Sequence, residues 1–230
     1  MLTRCGIKHT RINHMNTQQK YRPENISQIA WASDELKKEI MRYVEGRNTQ
    51  PLVLHGSSGT GKSMIANMIP RSIEGDSVQI RYIQPDELNS SNAVKKFFSR
   101  DKYFDDCFTY GDQLKSYTIM NEVKIDPKAK HAMRICLDEM EGRDLTIMTT
   151  NDLSQLDPAI VSRAKVVFVP PAPPDRFLAR AQEILIAENV LLADETVLEL
   201  LESTYEKYKD NREYYKALDS LLEEVHHAIA

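Results

Sequence analysis

The sequence predicts an α/β fold, in which a parallel sheet has helices on both faces and is followed by a smaller, all-helical domain. Strand-like apolar runs alternate with helical patterns between about residues 51 and 169, an order typical of covered parallel sheets. The stretch VPPAPPD at 169–175 then ends the strands, and only helical patterns follow. We predict a flexible leader over 1–18, a sheet-containing base domain over 19–171 and a helical lid domain over 172–230.

The individual elements follow from local patterns. Ser33 is a favourable N-cap for a helix whose apolar residues recur at helical spacing up to Tyr43. Five other segments are short and apolar, as strands buried within a sheet are. The predicted strands span 51–56, 77–83, 116–120, 145–150 and 165–169, and the clearest helices between them span 93–100 and 127–140.

Composition limits the class of protein. The chain has 230 residues, 41% of them hydrophobic, which is enough for a substantial core. Its three cysteines form no CxxC pair, which argues against a disulfide framework and against a structural zinc site. No apolar run reaches the roughly 20 residues of a membrane-spanning helix, and the N-terminus lacks the apolar segment of a secretory signal. We therefore expect a soluble, cytoplasmic protein with no membrane partner.

Charge is distributed unevenly around a net value of −4. Residues 175–230 contain 6 Lys and Arg against 13 Asp and Glu, so the remainder of the chain is slightly basic. A nucleic-acid surface would therefore lie on the N-terminal part. Solvated helix faces of mixed sign are nevertheless sufficient to explain most of this asymmetry.

The segment GSSGTGKS at 56–63 fits the pattern GxxxxGK[ST] and lies between a predicted strand and a predicted helix. In this pattern, called the P-loop, glycines let backbone N–H groups turn toward phosphates, and the helix N-terminus adds positive charge. Lys62 would reach the β- and γ-phosphates, and the Ser63 hydroxyl would bind Mg²⁺. The sequence therefore predicts binding of a nucleoside triphosphate. The predicted binding residues are Gly56, Ser57, Ser58, Gly59, Thr60, Gly61, Lys62, Ser63 and Met64.

The P-loop and several other segments resemble the AAA+ family of ATPases, most closely the small subunits of sliding-clamp loaders of the replication factor C type. The resemblance runs from about Lys20 to Glu224, and the order and spacing of its segments make it specific. The segments are QKYRPENISQI (19–29), RYIQPDELNSSNAVKKF (81–97), TTN (149–151), PAIVSRAKVVF (158–168) and DNREYYKAL (210–218). The resemblance implies a P-loop NTPase fold with ATP and Mg²⁺ as cofactors.

The resemblance to the AAA+ family also implies roles for single residues. Asn151 would position the attacking water, and Arg212 would contact the nucleotide within the same subunit. Arg163 corresponds to the arginine finger that is offered to the γ-phosphate of a neighbouring subunit, although Ala164 replaces the cysteine that follows it in the family. The residues that would lie beside the adenine are Tyr21, Arg22 and Pro23.

The strand at 116–120 is followed by Asn121 and Glu122, where the resembling family has Asp and Glu. Asn121 would still accept a hydrogen bond from metal-bound water, but it adds no negative charge, so the affinity for Mg²⁺ should fall. Glu122, which would polarise the attacking water, is retained. We therefore expect an ATPase whose hydrolysis is slow or is accelerated only within an assembly. The competing acidic pair, Asp138 and Glu139, is predicted to lie at the exposed end of a helix.

Two functions remain open. The first is a clamp-loader-like subunit of a homo- or hetero-oligomer, in which ATP binding and slow hydrolysis remodel a DNA-bound partner such as a sliding clamp. The second is an ATP-dependent switch, of the phage or mobile-element type, that recruits an effector with little hydrolysis. The first is our main expectation, whereas the sequence stops before the third helical domain, the collar, of clamp loaders, which fits the second. In the first function, the residues that would face DNA phosphates are Lys95, Lys96, Arg100, Lys124 and Lys128, although each one taken singly is more typical of an ordinary surface residue.

A P-loop kinase that acts on a small molecule is disfavoured as a third function. It would need an arginine-rich substrate lid between strands, and it would leave the segments at 162–164 and 210–212 unexplained. The acidic helical end of the chain is more typical of an AAA+ lid domain.

Overall fold

The computed structural model describes residues 16–84, 87–98, 116–123, 126–139 and 144–229. Within these residues, five parallel strands form one sheet in the order β2-β3-β4-β1-β5. The strands are β1 (Leu52–His55), β2 (Ile80–Ile83), β3 (Ser116–Met120), β4 (Asp144–Thr150) and β5 (Lys165–Phe168). The predicted parallel sheet is confirmed.

Helices flank the sheet and form the C-terminal part of the chain. They are α1 (Thr17–Lys20), α2 (Asp34–Val44), α3 (Lys62–Glu74), α4 (Ser91–Phe97), α5 (Lys130–Glu139), α6 (Pro158–Val161), α7 (Pro174–Ala187), α8 (Asp194–Tyr208) and α9 (Asn211–Ile229). In the described part of the chain, none of them is both long enough and apolar enough to cross a bilayer.

The sheet has a hydrophobic core on each face. On one face, residues of α2 and α3 such as Ile40 and Ile65 pack against Leu54 of β1. On the other face, residues of α5 such as Met133 pack against Val53 of β1. Neighbouring residues of β1 thus point to opposite cores, which is why its first three residues, Leu52–Leu54, are all apolar.

Local signals set most boundaries of the elements. The Ser33 hydroxyl accepts the N–H of Leu36 and caps α2, as predicted. Strand β2 is shorter than predicted and begins at Ile80, which pairs with Tyr117 of β3. Helix α5 likewise begins at Lys130 rather than at residue 127, and α4 ends at Phe97 rather than at residue 100.

Helices α7 to α9 enclose a separate hydrophobic cluster, in which the rings of Phe177 and Tyr214 stack 4.6 Å apart. Helix α1 packs against this domain, because the backbone N–H of Thr17 donates to Asp219. The leader was predicted to be flexible over 1–18, so the structure differs at residues 17 and 18, which belong to α1. Residues 1–15 lie outside the described part, and the division at residue 171 stays a prediction.

Candidate nucleotide-binding site

A cleft of about 400 Å³ lies between the carboxyl edge of the sheet and the lid. The loops that follow β1, β3 and β4 meet at this edge because the three strands are parallel neighbours in the sheet. Most of the predicted site residues line the cleft, although they come from distant parts of the sequence. They are Arg22, Pro23, Ser58, Gly59, Thr60, Gly61, Lys62, Ser63, Met64, Glu122, Asn151 and Arg212.

The P-loop leads into α3 without a side-chain cap. Gly61 precedes the helix with a φ of 93°, in the left-handed region that glycine adopts readily. Because no side chain accepts the first N–H groups of α3, these donors remain available to an anion at the floor of the cleft. This arrangement suits a phosphate group.

Lys62 is almost fully buried, and its Nζ donates to the carbonyl oxygens of Gly56 and Ser57 at 2.8 and 2.6 Å. Burial lowers the pKa of Lys62, and the nearby charge of Arg212 lowers it further, while Glu122 opposes this shift. The two cations thus repel each other across the cleft. A bound phosphate would supply the negative charge that stabilises both.

The turn after β3 is tied to the end of β4 by one hydroxyl group. Thr149 Oγ1 accepts the N–H of Glu122 at 3.1 Å and donates to Asn121 Oδ1 at 3.2 Å. Glu122 has a φ of 52°, an uncommon value for a residue other than glycine, and its side chain is exposed in the cleft. The Thr149 hydroxyl therefore positions both residues that follow β3.

The same turn determines which ligands are available to a magnesium ion. Asn121 is uncharged, its oxygen is engaged by Thr149, and it is absent from the cleft lining among the described residues. The described part of the chain also contains no cluster of three or more His, Cys, Asp or Glu that could hold a metal ion. Ser63 lines the cleft, so a magnesium ion would depend on this hydroxyl, on Asn121 through water and on oxygens of the nucleotide.

The lid contacts the P-loop through the residues at the start of α9. Asn211 Nδ2 lies 3.4 Å from the carbonyl oxygen of Thr60, and Asn211 Oδ1 accepts the N–H of Ala172 at 2.8 Å. The hydroxyl of Tyr214, one turn further along the helix, donates to the carbonyl of Ala172. These bonds hold Arg212, the next residue after Asn211, at the cleft.

Besides Asn121, four predicted residues do not line the cleft in the described structure. Gly56 and Ser57 lie beneath it, where their carbonyls accept from Lys62, and Tyr21 and Arg163 are bound elsewhere. The side chain of Tyr21 packs against the lid core, and its hydroxyl donates to Glu188 at 2.7 Å, so Tyr21 does not line the cleft as the resemblance implied. Arg163 also lies outside the cleft, where its Nε donates to Asp138 Oδ1 at 2.8 Å and its Nη1 donates to the carbonyl of Ala159. Asp138 lies at the exposed end of α5, as predicted.

Several residues that line the cleft were not predicted as site residues, among them Trp31 and Arg180. Trp31 lies between the first 3₁₀ turn (Ile26–Gln28) and α2. Arg180 is supplied by the lid and donates to the backbone carbonyl of Tyr21 at 2.6 Å. No local motif marks either residue, because each reaches the cleft only through tertiary packing.

The chain has relatives of known name by sequence. Replication factor C small subunit 2 of Pyrobaculum arsenaticum is 26% identical over 191 residues, which cover 82% of this chain and 57% of the relative. Replication factor C small subunit of Thermoplasma acidophilum is 26% identical over 187 residues, or 80% of this chain and 58% of the relative. The chain thus spans little more than half the length of these curated relatives.

The fold is also similar to that of a solved protein, the RuvB Holliday junction branch migration motor of Thermotoga maritima. The two structures superimpose with a TM-score of 0.70 over 91% of this chain and 67% of the other, at 10% sequence identity. Residues 52–171, more than half of the chain, match the family model described as ATPase family associated with various cellular activities. The chain therefore belongs to the AAA family of ATPases.

Proposed function

We propose that this chain is an ATP-binding subunit of a clamp-loader-like AAA+ oligomer, in which ATP binding and slow hydrolysis remodel a partner on DNA. The proposal is carried by one observation: four polar side chains from distant segments converge on a single cleft between the sheet and the lid. These side chains are Lys62, Glu122, Asn151 and Arg212. The similarity to replication factor C small subunits supports the clamp-loader class.

ATP would bind with its phosphates on the P-loop. The uncapped N–H groups at the start of α3 would donate to phosphate oxygens, and Lys62 would exchange its two loop carbonyls for the β- and γ-phosphates. Ser63 and Asn121 would hold Mg²⁺, which offsets the charge of the phosphates. Arg212 would bind from the lid side, so that the nucleotide ties the lid to the base domain.

Hydrolysis would use the two residues beside the phosphates. The Glu122 carboxylate, exposed in the cleft, would polarise the attacking water, and Asn151 at the end of β4 would orient it. Arg163 lies outside the cleft of its own chain, which is consistent with a role at the site of a neighbouring subunit. Hydrolysis would then require an oligomer.

DNA contact would be made by basic side chains of the base domain. Lys95 and Lys96 on α4 and Lys128 before α5 are exposed, as phosphate-binding side chains must be. The carbonyl of Lys128 accepts the hydroxyl of Ser91, so the start of α4 lies beside the turn that leads into α5. Arg100 and Lys124, the other predicted DNA contacts, lie outside the described residues.

A second candidate function is an ATP-dependent switch with little turnover. The observation that favours it is the uncharged Asn121, whose oxygen is engaged by Thr149. Weak Mg²⁺ binding would leave the phosphates poorly neutralised during hydrolysis while still permitting nucleotide to bind. The protein would then hold an effector for as long as ATP remains bound.

The two candidates differ in steady-state ATP hydrolysis. We would measure it with Mg²⁺ for the unaltered chain, for Asn121→Asp and for Lys62→Ala, each with and without primed DNA. A clamp-loader-like subunit predicts turnover by the unaltered chain well above that of Lys62→Ala, with stimulation by DNA. Turnover by Asn121→Asp alone would instead identify the switch, and failure of the unaltered chain to bind ATP would reject both.

A further inference from the structure

An indole N–H group is buried at the cleft without a hydrogen-bond acceptor. Trp31 is 7% exposed and lines the cleft, and its Nε1 has no hydrogen-bond partner among the described residues. Buried tryptophan N–H groups usually find a partner, and an unpaired one destabilises the fold. The missing acceptor therefore calls for an explanation beyond packing.

A second unpaired donor lines the same cleft. Within the described ranges, Arg180 Nε is buried without a partner, although the Nη groups of Arg180 donate to Glu183 and to the carbonyl of Tyr21. By contrast, the hydroxyl of Tyr43 is buried and unpaired in the same core cluster as Trp31, but Tyr43 is absent from the cleft lining in the described structure. The cleft thus has an unpaired hydrogen-bond donor from the base domain, Trp31, and another from the lid, Arg180. This arrangement suits a ligand that carries hydrogen-bond acceptors.

The surroundings of Trp31 indicate which part of a ligand it would meet. Its neighbours along the cleft are apolar, and the aromatic ring of Phe177 lines the cleft from the lid. The phosphate-binding groups belong to the P-loop instead. The base of a nucleotide, which is flat and largely apolar with acceptors in its ring, fits the part beside Trp31. The apolar residues that line the cleft and are close to Trp31 in the sequence are Ile29, Ala30, Ala32 and Leu36.

We propose that Trp31 selects the nucleobase by donating its indole N–H to a ring nitrogen of a bound purine. This inference rests on the proposed function, because it takes the cleft to be the ATP site. The purine ring offers unprotonated nitrogens as acceptors, whereas phosphates are held by the P-loop. The indole nitrogen is closed to water in this structure, so binding requires a local shift of the ring and its neighbours.

The shift can be observed directly, since Trp31 is the only tryptophan of the chain. Titration of the unaltered protein with ATP should change the intensity or wavelength of its tryptophan emission in a saturable manner. Lys62→Ala, which lacks the phosphate-binding ammonium, should show no change at the same ATP concentrations. A saturable heat of ATP binding in calorimetry without any change in emission would overturn the inference and leave the proposed function intact.

Deaza analogues of ATP identify the acceptor. The unaltered protein and Trp31→Phe should each be titrated by calorimetry with ATP and with 1-deaza-, 3-deaza- and 7-deaza-ATP. We expect one analogue to bind the unaltered protein about tenfold more weakly than ATP does, and Trp31→Phe to bind that analogue and ATP equally. Tyr43→Phe, which removes an unpaired buried hydroxyl outside the cleft, is the matched control and should retain the preference for ATP.

Two results separate this inference from the proposed function. Each analogue can be compared with ATP by the factor by which its affinity is lower. If that factor is the same in the unaltered protein and in Trp31→Phe for every analogue, the indole does not contact the base, although the cleft still binds ATP. If the unaltered protein binds no ATP at all, the proposed function fails together with the inference. Thermal unfolding of Trp31→Phe shows whether the variant is folded, and the analogue series on the unaltered protein does not depend on it.

Discussion

The Asp210 carboxylate lies directly against Gly59, so that a Cβ on this glycine would fall 1.7 Å from Asp210 Oδ1. The same oxygen accepts the N–H of Arg212 at 2.8 Å and thereby caps α9. The next residue, Asn211, contacts the carbonyl of Thr60. The lid therefore rests on the P-loop through two consecutive residues, and its position depends on the absence of a side chain at Gly59.

Gly59→Ala should weaken ATP binding by about tenfold or more, because the added methyl group would displace Asp210 and with it the start of α9. The affinity would be measured by calorimetry. Gly46→Ala is the matched control, since Gly46 also has a positive φ, +70° against +79° for Gly59. A methyl group on Gly46 would meet no atom of the described residues within 4 Å.

Both alanine variants should lose about 1–2 kcal/mol of unfolding free energy, because both place a side chain in the left-handed region. Only Gly59→Ala should also lose affinity for ATP. Equal affinities in the two variants would contradict the idea that the contact with Asp210 holds the lid on the P-loop.

Thr149→Val should lower the rate of ATP hydrolysis by about tenfold while ATP affinity changes little. The substitution keeps the shape of the side chain but removes the acceptor of the Glu122 N–H and the donor to Asn121, so the turn that presents Glu122 is released. Thr149→Ser, which retains the hydroxyl, should restore most of the rate. Steady-state hydrolysis and calorimetry on both variants test this, and an unchanged rate in Thr149→Val would show that the hydroxyl does not position Glu122.

The sequence predicted correctly those parts of the site that form within one short segment of the chain. Strand β3 begins and ends where its apolar run does, and the P-loop lies between a strand and a helix as its motif requires. Contacts between distant segments were not predictable in this way. Nothing near Gly59 in the sequence indicates Asp210, and nothing near Trp31 in the sequence indicates that it lines the cleft.

The position of Tyr21 illustrates the same limit. Resemblance to a motif assigned this residue to the adenine, but Glu188 in the lid accepts its hydroxyl and Arg180 binds its carbonyl. Both partners are more than 150 residues away in the sequence. Hydrogen bonds to residues distant in the sequence therefore set the orientation of Tyr21, and the motif does not contain those partners.

Lys209→Gly should raise the unfolding free energy by about 0.5–1 kcal/mol. Lys209 ends α8 with φ 50° and ψ 42°, a left-handed conformation that strains a residue with a side chain, and the greater entropy of an unfolded glycine offsets part of the gain. Asn189 also has a positive φ, 61°, but asparagine tolerates this region, so Asn189→Gly should gain less. Urea unfolding of both variants measures the difference, and a larger gain at Asn189 would contradict the assignment of strain to Lys209.

Arg163 should act at the site of a neighbouring subunit, because within its own chain it is bound to Asp138 and lies outside the cleft. Two inactive variants can test this by complementation. Lys62→Ala offers an intact Arg163 but lacks the ammonium that binds phosphate, whereas Arg163→Ala keeps the cleft but lacks the arginine. Where an Arg163→Ala subunit receives the arginine of a Lys62→Ala neighbour, one complete site forms.

Each variant alone should hydrolyse ATP near background, and an equal mixture should recover up to about a quarter of the unaltered rate, the share of interfaces that random mixing completes. The recovery should grow with total protein concentration, since it depends on assembly. Arg163→Lys in place of Arg163→Ala tests whether charge alone suffices, because lysine lacks the planar, forked guanidinium. A mixture that stays at background while the unaltered protein assembles and turns over ATP would place the action of Arg163 within its own chain.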